Sequence, residues 1–253
     1  MSGNTIRSAT TVPIILLGLL FIYGKGSAQN PAIVADSLAK EHKVGFRPFI
    51  IPSLLISSGV FTALNHSIIN RFEIVEARNE YFPNFHNKTD NYLQYAPIAA
   101  AYGLTIGQVK AKDDLLNLTV KLAKSELIMM AIVYPLKKLT HGARPDNSAP
   151  TTFPSGHTAE AFLAATFLDE QYRHVSKWIS VGGYVIATSV GVSRILNNRH
   201  WISDVLAGAG IGMLSVKLVS VTHQYKWKSK SSKLVCFPMI EKNTRGLYAA
   251  LIF

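Results

Sequence analysis

Charge is scarce in this 253-residue chain, and cysteine is almost absent. Only 16% of the residues are charged, against about 25% in an ordinary soluble domain, while 48% are hydrophobic. That balance favours one large apolar domain in or beside a membrane. Cys236 is the single cysteine, so an internal disulfide and a thiolate metal cluster are both excluded. The redox compartment stays open, because one cysteine has nothing to pair with. Acids are few as well: 15 Asp and Glu against 26 Lys and Arg, a net charge of +11. Such an excess invites a nucleic-acid partner. The cations are instead dispersed through apolar segments and gathered near the end, without an RNA- or DNA-binding motif, and no nucleic acid is expected. Lys217, Lys226, Lys228, Lys230 and Lys233 follow one another with no acid between them, which suits an anionic lipid surface. Internal repeats and low-complexity tracts are missing too.

What is present begins with MSGNTIR, VPIILLGLLFIYG and GKGSAQN. One early cation, a short apolar core and small residues before Gln29 follow the grammar of an export leader. The apolar core is shorter than the roughly twenty residues a membrane span needs, so cleavage before Gln29 is expected, an uncleaved anchor being the alternative. The chain then divides into a leader at 1–28, a polar lead at 29–47, a helical domain at 48–219 and a basic, β-prone tail at 220–253. Apolar segments fall at 48–64, 93–109, 115–136, 157–168, 178–196 and 200–219, separated by polar connections. Gly182-Gly183 and Gly208-Ala209-Gly210 would let helices approach closely, as membrane bundles prefer. The pattern predicts an all-α fold, a six-helix bundle, with two short strand-like runs around a polar turn at the C-terminal end.

Three polar clusters lie at the ends of these apolar segments. KKLTHGARP holds Lys137, then Arg144 and Pro145. FPSGHT holds Pro154, Ser155, Gly156 and His157. SRILNNRHWISD holds Ser193, Arg194, His200 and Asp204. Lys137, Arg144 and Arg194 match the charge and oxygen count of a phosphoryl group, and the guanidinium forks bind it bidentately. Ser155 and the N–H of Gly156 precede a helix, whose N-terminus is an anion site. His200 and Asp204 are four apart, so on a helix they share a face. The carboxylate would hold one imidazole nitrogen and leave the other to attack. His157 is then the group able to protonate a leaving oxygen. Singly, each of these has an ordinary structural use. A metal site built from His141, His157, His200 and Asp204 fits none of the usual zinc spacings.

The three clusters in this order resemble the signature of the type 2 phosphatidic acid phosphatase superfamily. It unites lipid phosphate phosphatases, bacterial class A acid phosphatases and vanadium haloperoxidases. Every fixed position is present: Lys137, Arg144-Pro145, Pro154-Ser155-Gly156-His157, Ser193-Arg194, His200 and Asp204. The wider wording, FPSGHTAEAF and NNRHWISDVLAGAGIG, is similar to exported Bacteroidetes-type members. The resemblance implies a helical phosphatase domain with no metal or other cofactor. It implies that His200 attacks phosphorus to give a phosphohistidine while Asp204 orients its ring. His157 would protonate the departing oxygen and then activate water. Lys137, Arg144, Ser155, Gly156 and Arg194 would hold the phosphate oxygens.

The expected substrate is a membrane lipid phosphate or diphosphate: lipid A, undecaprenyl diphosphate or phosphatidylglycerol phosphate. A soluble non-specific acid phosphatase and a non-enzymatic membrane protein are the competing readings. The expected place is a bacterial envelope membrane with the site on the periplasmic side. Topology constrains this. Six spans after a cleaved leader would put the motifs in the cytoplasm, whereas lysines after Lys217 favour a cytoplasmic tail and motifs outside. Either the leader stays attached or one segment does not span, the short ones at 48–64 and 157–168 being the candidates.

Overall fold

The computed structural model describes residues 45–65 and 69–223, and the backbone of 233–241 and 244–252. The expected leader, most of the polar lead and residues 224–232 of the lysine-rich stretch lie outside them. Among the described residues there are eight helices rather than six. They are α1 Arg47–Leu64, α2 Arg71–Tyr81, α3 Asp90–Leu93, α4 Ala96–Ile106, α5 Leu115–Thr140, α6 Gly156–Tyr172, α7 Lys177–Leu196 and α8 Ile202–Thr222. The additional helix α2 sits in a stretch that reads from sequence as a polar connection with an amphipathic piece. Its helicity is set by local caps: Asn70 accepts from the Phe72 N–H, and Glu73 and Arg78 complement the two ends. The four-residue α3 precedes α4, where Pro97 occupies the first turn, a position that tolerates its missing N–H. The backbone of residues 233–241 and 244–252 runs as strands β1 Lys233–Glu241 and β2 Thr244–Ile252, paired antiparallel from Lys233 with Ile252 to Glu241 with Thr244.

Helix α8 is the axis of the bundle, packed against α1, α5 and α6. Its small residues are the reason. A Cβ on Gly208 would stand 2.5 Å from the Ser155 carbonyl oxygen, and one on Gly210 would stand 2.6 Å from the Pro52 carbonyl oxygen. Gly212 meets the Ala159 carbonyl more closely still. Backbone contact at these points brings α6 and α1 to within a glycine's thickness of α8. Of the other pair of adjacent glycines, Gly183 abuts Leu168 and Gly182 has open space. Packed chiefly against α7 and α8, α6 is buried on almost every side, with Leu163, Phe167, Leu168 and Tyr172 in the main apolar core.

Three helices, α1, α7 and α8, are long and apolar enough to cross a membrane, at 18, 20 and 21 residues, or roughly 30 Å. The segment expected at 48–64 therefore qualifies despite Pro52. The one expected at 157–168 runs on to Tyr172 through Asp169 and Glu170. Helix α5 is longer, but Lys121, Lys124 and Glu126 interrupt it. Lys121 is tied off inside the protein: its Nζ lies 2.5 Å from Asp113 Oδ2, which also accepts from Gln171 Nε2 at 2.9 Å. Lys124 Nζ bonds His223 Nδ1 at 3.1 Å. Large apolar side chains remain outside the core, among them Ile50, Ile51 and Leu54 on α1 and Trp178, Val181 and Val185 on α7.

Candidate active site at one end of the bundle

The three polar clusters meet at one end of the bundle because helix ends meet there. Lys137 lies in the last turn of α5, which runs to Thr140, past the expected end at 136. Ser155 caps α6 and His157 stands in its first turn, Arg194 is in the last turn of α7, and Asp204 is in the first turn of α8. The opposite end of α8 carries Lys217 and leads into the basic stretch.

One expectation about His200 and Asp204 is corrected. Helix α8 begins at Ile202, so His200 precedes the helix rather than sharing a helical face with Asp204. The pair forms through the cap instead. Asp204 Oδ2 accepts from the Trp201 N–H at 3.0 Å, half of a capping box, and the same oxygen lies 3.3 Å from His200 Nδ1. Both side chains are almost completely buried. Burial pushes the His200 pKa down, against the pull of Asp204 and with the repulsion of Lys137 and Arg194. The ring therefore rests neutral, with Nδ1 held by the carboxylate and Nε2 available as a nucleophile.

Thr152 completes this pair and was not legible from spacing. Its hydroxyl donates to Asp204 Oδ2 in a short hydrogen bond and lies 3.3 Å from His200 Nδ1. Ser203 Oγ donates to Asp204 Oδ1 at 3.3 Å. The carboxylate thus collects several donors, which satisfy its oxygens in a buried position.

The cations surround this core. Lys137 Nζ lies 3.4 Å from the carbonyl oxygens of Thr151 and Thr152. Burial, then repulsion from Arg144, lowers its pKa to about 8. Arg144 and Arg194 each have a buried Nε with no protein partner, and a phosphate oxygen would satisfy such donors. Ser155 is fully buried and its hydroxyl caps α6 through Thr158. The first backbone N–H groups of α6 are then its contribution to anion binding. Gly156 keeps the space beside Lys137 open, a Cβ there standing 3.8 Å from Lys137 Cε. His157 is half-buried, and burial followed by repulsion from Arg194 lowers its pKa to about 4.

A second group of residues comes from α3 and the loop that leads into it. Arg194 Nη1 bonds Asp90 Oδ2 at 2.8 Å, with both side chains buried. Asn91 Oδ1 lies 2.9 Å from His157 Nε2. The loop is fastened to the end of α7 by a reciprocal pair: Asn87 N–H to Asn197 Oδ1 at 2.8 Å and Asn197 Nδ2 to the Asn87 carbonyl at 2.7 Å. Arg199 pairs with Asp146 at 3.1 Å and with Ser148. A cleft of about 720 Å³, lined among others by Asn91, Arg144, His157, Arg194 and Arg199, opens over this end. His200 and Lys137 do not line this cleft. Among the described residues no three His, Cys, Asp or Glu side chains converge as metal ligands.

Residues 118–228 match the model of the PAP2 superfamily. That match spans less than half of the chain. All of the residues from Lys137 to Asp204 lie inside it, while Asp90 and Asn91 lie outside. The chain is 40% identical over 135 residues to the lipid A 1-phosphatase of Porphyromonas gingivalis, covering 52% of this chain and 30% of that protein. It is 33% identical over 96 residues to phosphatidylglycerophosphatase B of Bacillus subtilis, covering 33% of this chain and 47% of that protein. The chain thus matches less than half the length of either curated relative. Among solved structures, Aquifex aeolicus LpxE overlays with a TM-score of 0.42 at 23% identity, over 58% of this chain and 94% of that one. A Bacillus subtilis PAP2-type phosphatidylglycerolphosphate phosphatase overlays at 0.49 and 20% identity, over 68% and 96%.

Proposed function

We propose that the PAP2 domain is a membrane lipid phosphatase, cleaving phosphate monoesters or diphosphates of envelope lipids through a phosphohistidine. One observation carries the reading: a buried neutral imidazole backed by a carboxylate lies among three cations and a helix N-terminus. His200 Nε2 attacks phosphorus while Asp204 balances the charge growing on its ring. Lys137, Arg144 and Arg194, with the N–H groups at the start of α6, hold the equatorial oxygens as charge develops. His157 delivers a proton to the leaving oxygen. In the second step it removes one from the water that releases phosphate. In the resting site burial, then the neighbouring cations, keep His157 neutral. The incoming phosphate offsets those cations and restores its basicity. No metal takes part in this scheme.

The apolar flanks of α1 and α7 support a lipid substrate presented from the membrane. The similarity to a lipid A 1-phosphatase is longer and higher than that to a phosphatidylglycerophosphatase, so lipid A-type phosphates rank first. A periplasmic site is supported by α8, which starts at the motif residues and carries Lys217 towards its other end, with further lysines following it in sequence. The test is a substrate panel with the detergent-purified protein: lipid A, undecaprenyl diphosphate, phosphatidylglycerol phosphate and a chromogenic ester. Release of phosphate from lipid A well above the others is the expected result. Comparable rates on the chromogenic ester without detergent would instead indicate a non-specific acid phosphatase.

A further inference from the structure

We infer that Asn91, outside the three-part signature, is the positioning residue of the general acid. Its side-chain carbonyl accepts the Nε2–H of His157, fixes the ring's orientation and directs Nδ1 to the leaving oxygen. The inference rests on the reading of His157 as general acid and extends it to a residue 66 positions away in sequence. The first support is geometric: the 2.9 Å contact engages one ring nitrogen and leaves the other for proton transfer. The second is that Asn91 belongs to a braced frame. Asp90, its neighbour, is held by Arg194 and by Asn197 Nδ2. The reciprocal Asn87–Asn197 bonds tie the preceding turn, and Gln94 Nε2 bonds the Asn91 carbonyl oxygen at 2.8 Å. The third is electrostatic. His157 faces Arg194, Lys137 and His200, which disfavour its protonation, and Asp90, which favours it. An amide carbonyl on Nε2–H adds to the favourable side without adding a charge that would repel phosphate.

The proton balance follows. As the His200 Nε2–P bond forms and the ester P–O bond breaks, His157 Nδ1–H passes to the ester oxygen, which leaves as an alcohol. In hydrolysis, neutral Nδ1 takes a proton from water as the water oxygen binds phosphorus and the His200–P bond breaks. The Nε2–H stays on Asn91 throughout.

The test uses full-length Asn91→Ala, Asn91→Asp and His157→Ala in detergent, with phosphatidic acid and p-nitrophenyl phosphate as probes. Profiles of kcat against pH are recorded, and folding is checked by thermal melting. On phosphatidic acid, Asn91→Ala should move the basic limb to lower pH by roughly one unit and lower kcat roughly tenfold. Asn91→Asp should move the limb to higher pH. On p-nitrophenyl phosphate, whose leaving group needs little protonation, Asn91→Ala should cost far less. An unmoved limb in both variants, or equal losses on the two probes, overturns the inference. The His157 variant separates the two levels. If His157→Ala keeps the wild-type limb and rate, the general-acid reading itself fails. If it is inactive on phosphatidic acid while the Asn91 variants behave as wild type, only the role of Asn91 fails.

Discussion

Replacing Lys137 by arginine removes a titration from the phosphate clamp. Lys137 is half-buried beside Arg144, and that burial and repulsion bring its pKa to about 8. A cation whose pKa is lowered is charged below that value and neutral above it. About nine-tenths of the free enzyme is then competent at pH 7 and roughly one-tenth at pH 9. An arginine at this position stays protonated through the whole range. Both enzymes share the second ionisation of the substrate phosphate, near pH 6, so that ionisation cancels in their ratio. Divided by the profile of Lys137→Arg, the wild-type kcat/KM should be flat up to about pH 7 and fall roughly tenfold by pH 9. The absolute activity of the variant is free to drop, since the longer side chain must fit beside the Thr151 and Thr152 carbonyls. The shape of the ratio is what is read. A ratio that stays flat to pH 9.5 would refute the placement of Lys137 as a buried, titrating clamp.

Substitutions at four other positions test the site and the scaffold beneath it. Gly208→Ala sets a Cβ against the Ser155 carbonyl. It should cost about 1–3 kcal/mol, seen as a Tm loss of several degrees in detergent, with a fall in kcat because the α6 cap is displaced. Gly182→Ala, which meets open space, should leave both unchanged. Thr152→Val removes a donor from the buried Asp204 carboxylate and should destabilise by about 1–3 kcal/mol, while Thr152→Ser stays near wild type in a thermal melt. Asp204→Asn removes the counter-charge of the His200 ring and should lower kcat on the order of 10³- to 10⁴-fold with the fold intact by circular dichroism.

The sequence made the bundle and the clustered ends readable, because apolar segments and fixed motif residues survive without tertiary context. Its errors have physical sources. Helix α2 is short and mostly polar, so the sequence shows only an amphipathic piece within a polar connection; its caps and the anchoring of Arg78 to Leu196 and Phe85 carry it. The spacing of His200 and Asp204 suggested a shared helical face, yet the contact is made across a helix cap, where four residues also bring side chains together. Thr152, Asp90 and Asn91 had no local pattern at all. They reach the site through contacts spanning 48 to 104 positions, which only the packing of α3, α6, α7 and the start of α8 produces. Asn197 and Arg199, without a role in the sequence, brace, respectively, the loop that leads into α3 and the Asp146 carboxylate.

The central claim is that His200 carries the phosphoryl group. It is tested by mixing the purified protein with a lipid phosphate substrate, quenching in alkali within one turnover, and mapping phosphorylation by mass spectrometry. The account predicts a phosphohistidine at His200, retained longer in His157→Ala and absent in His200→Ala, which releases no phosphate. Full phosphate release by His200→Ala, or a phosphoryl adduct on another residue, would contradict it.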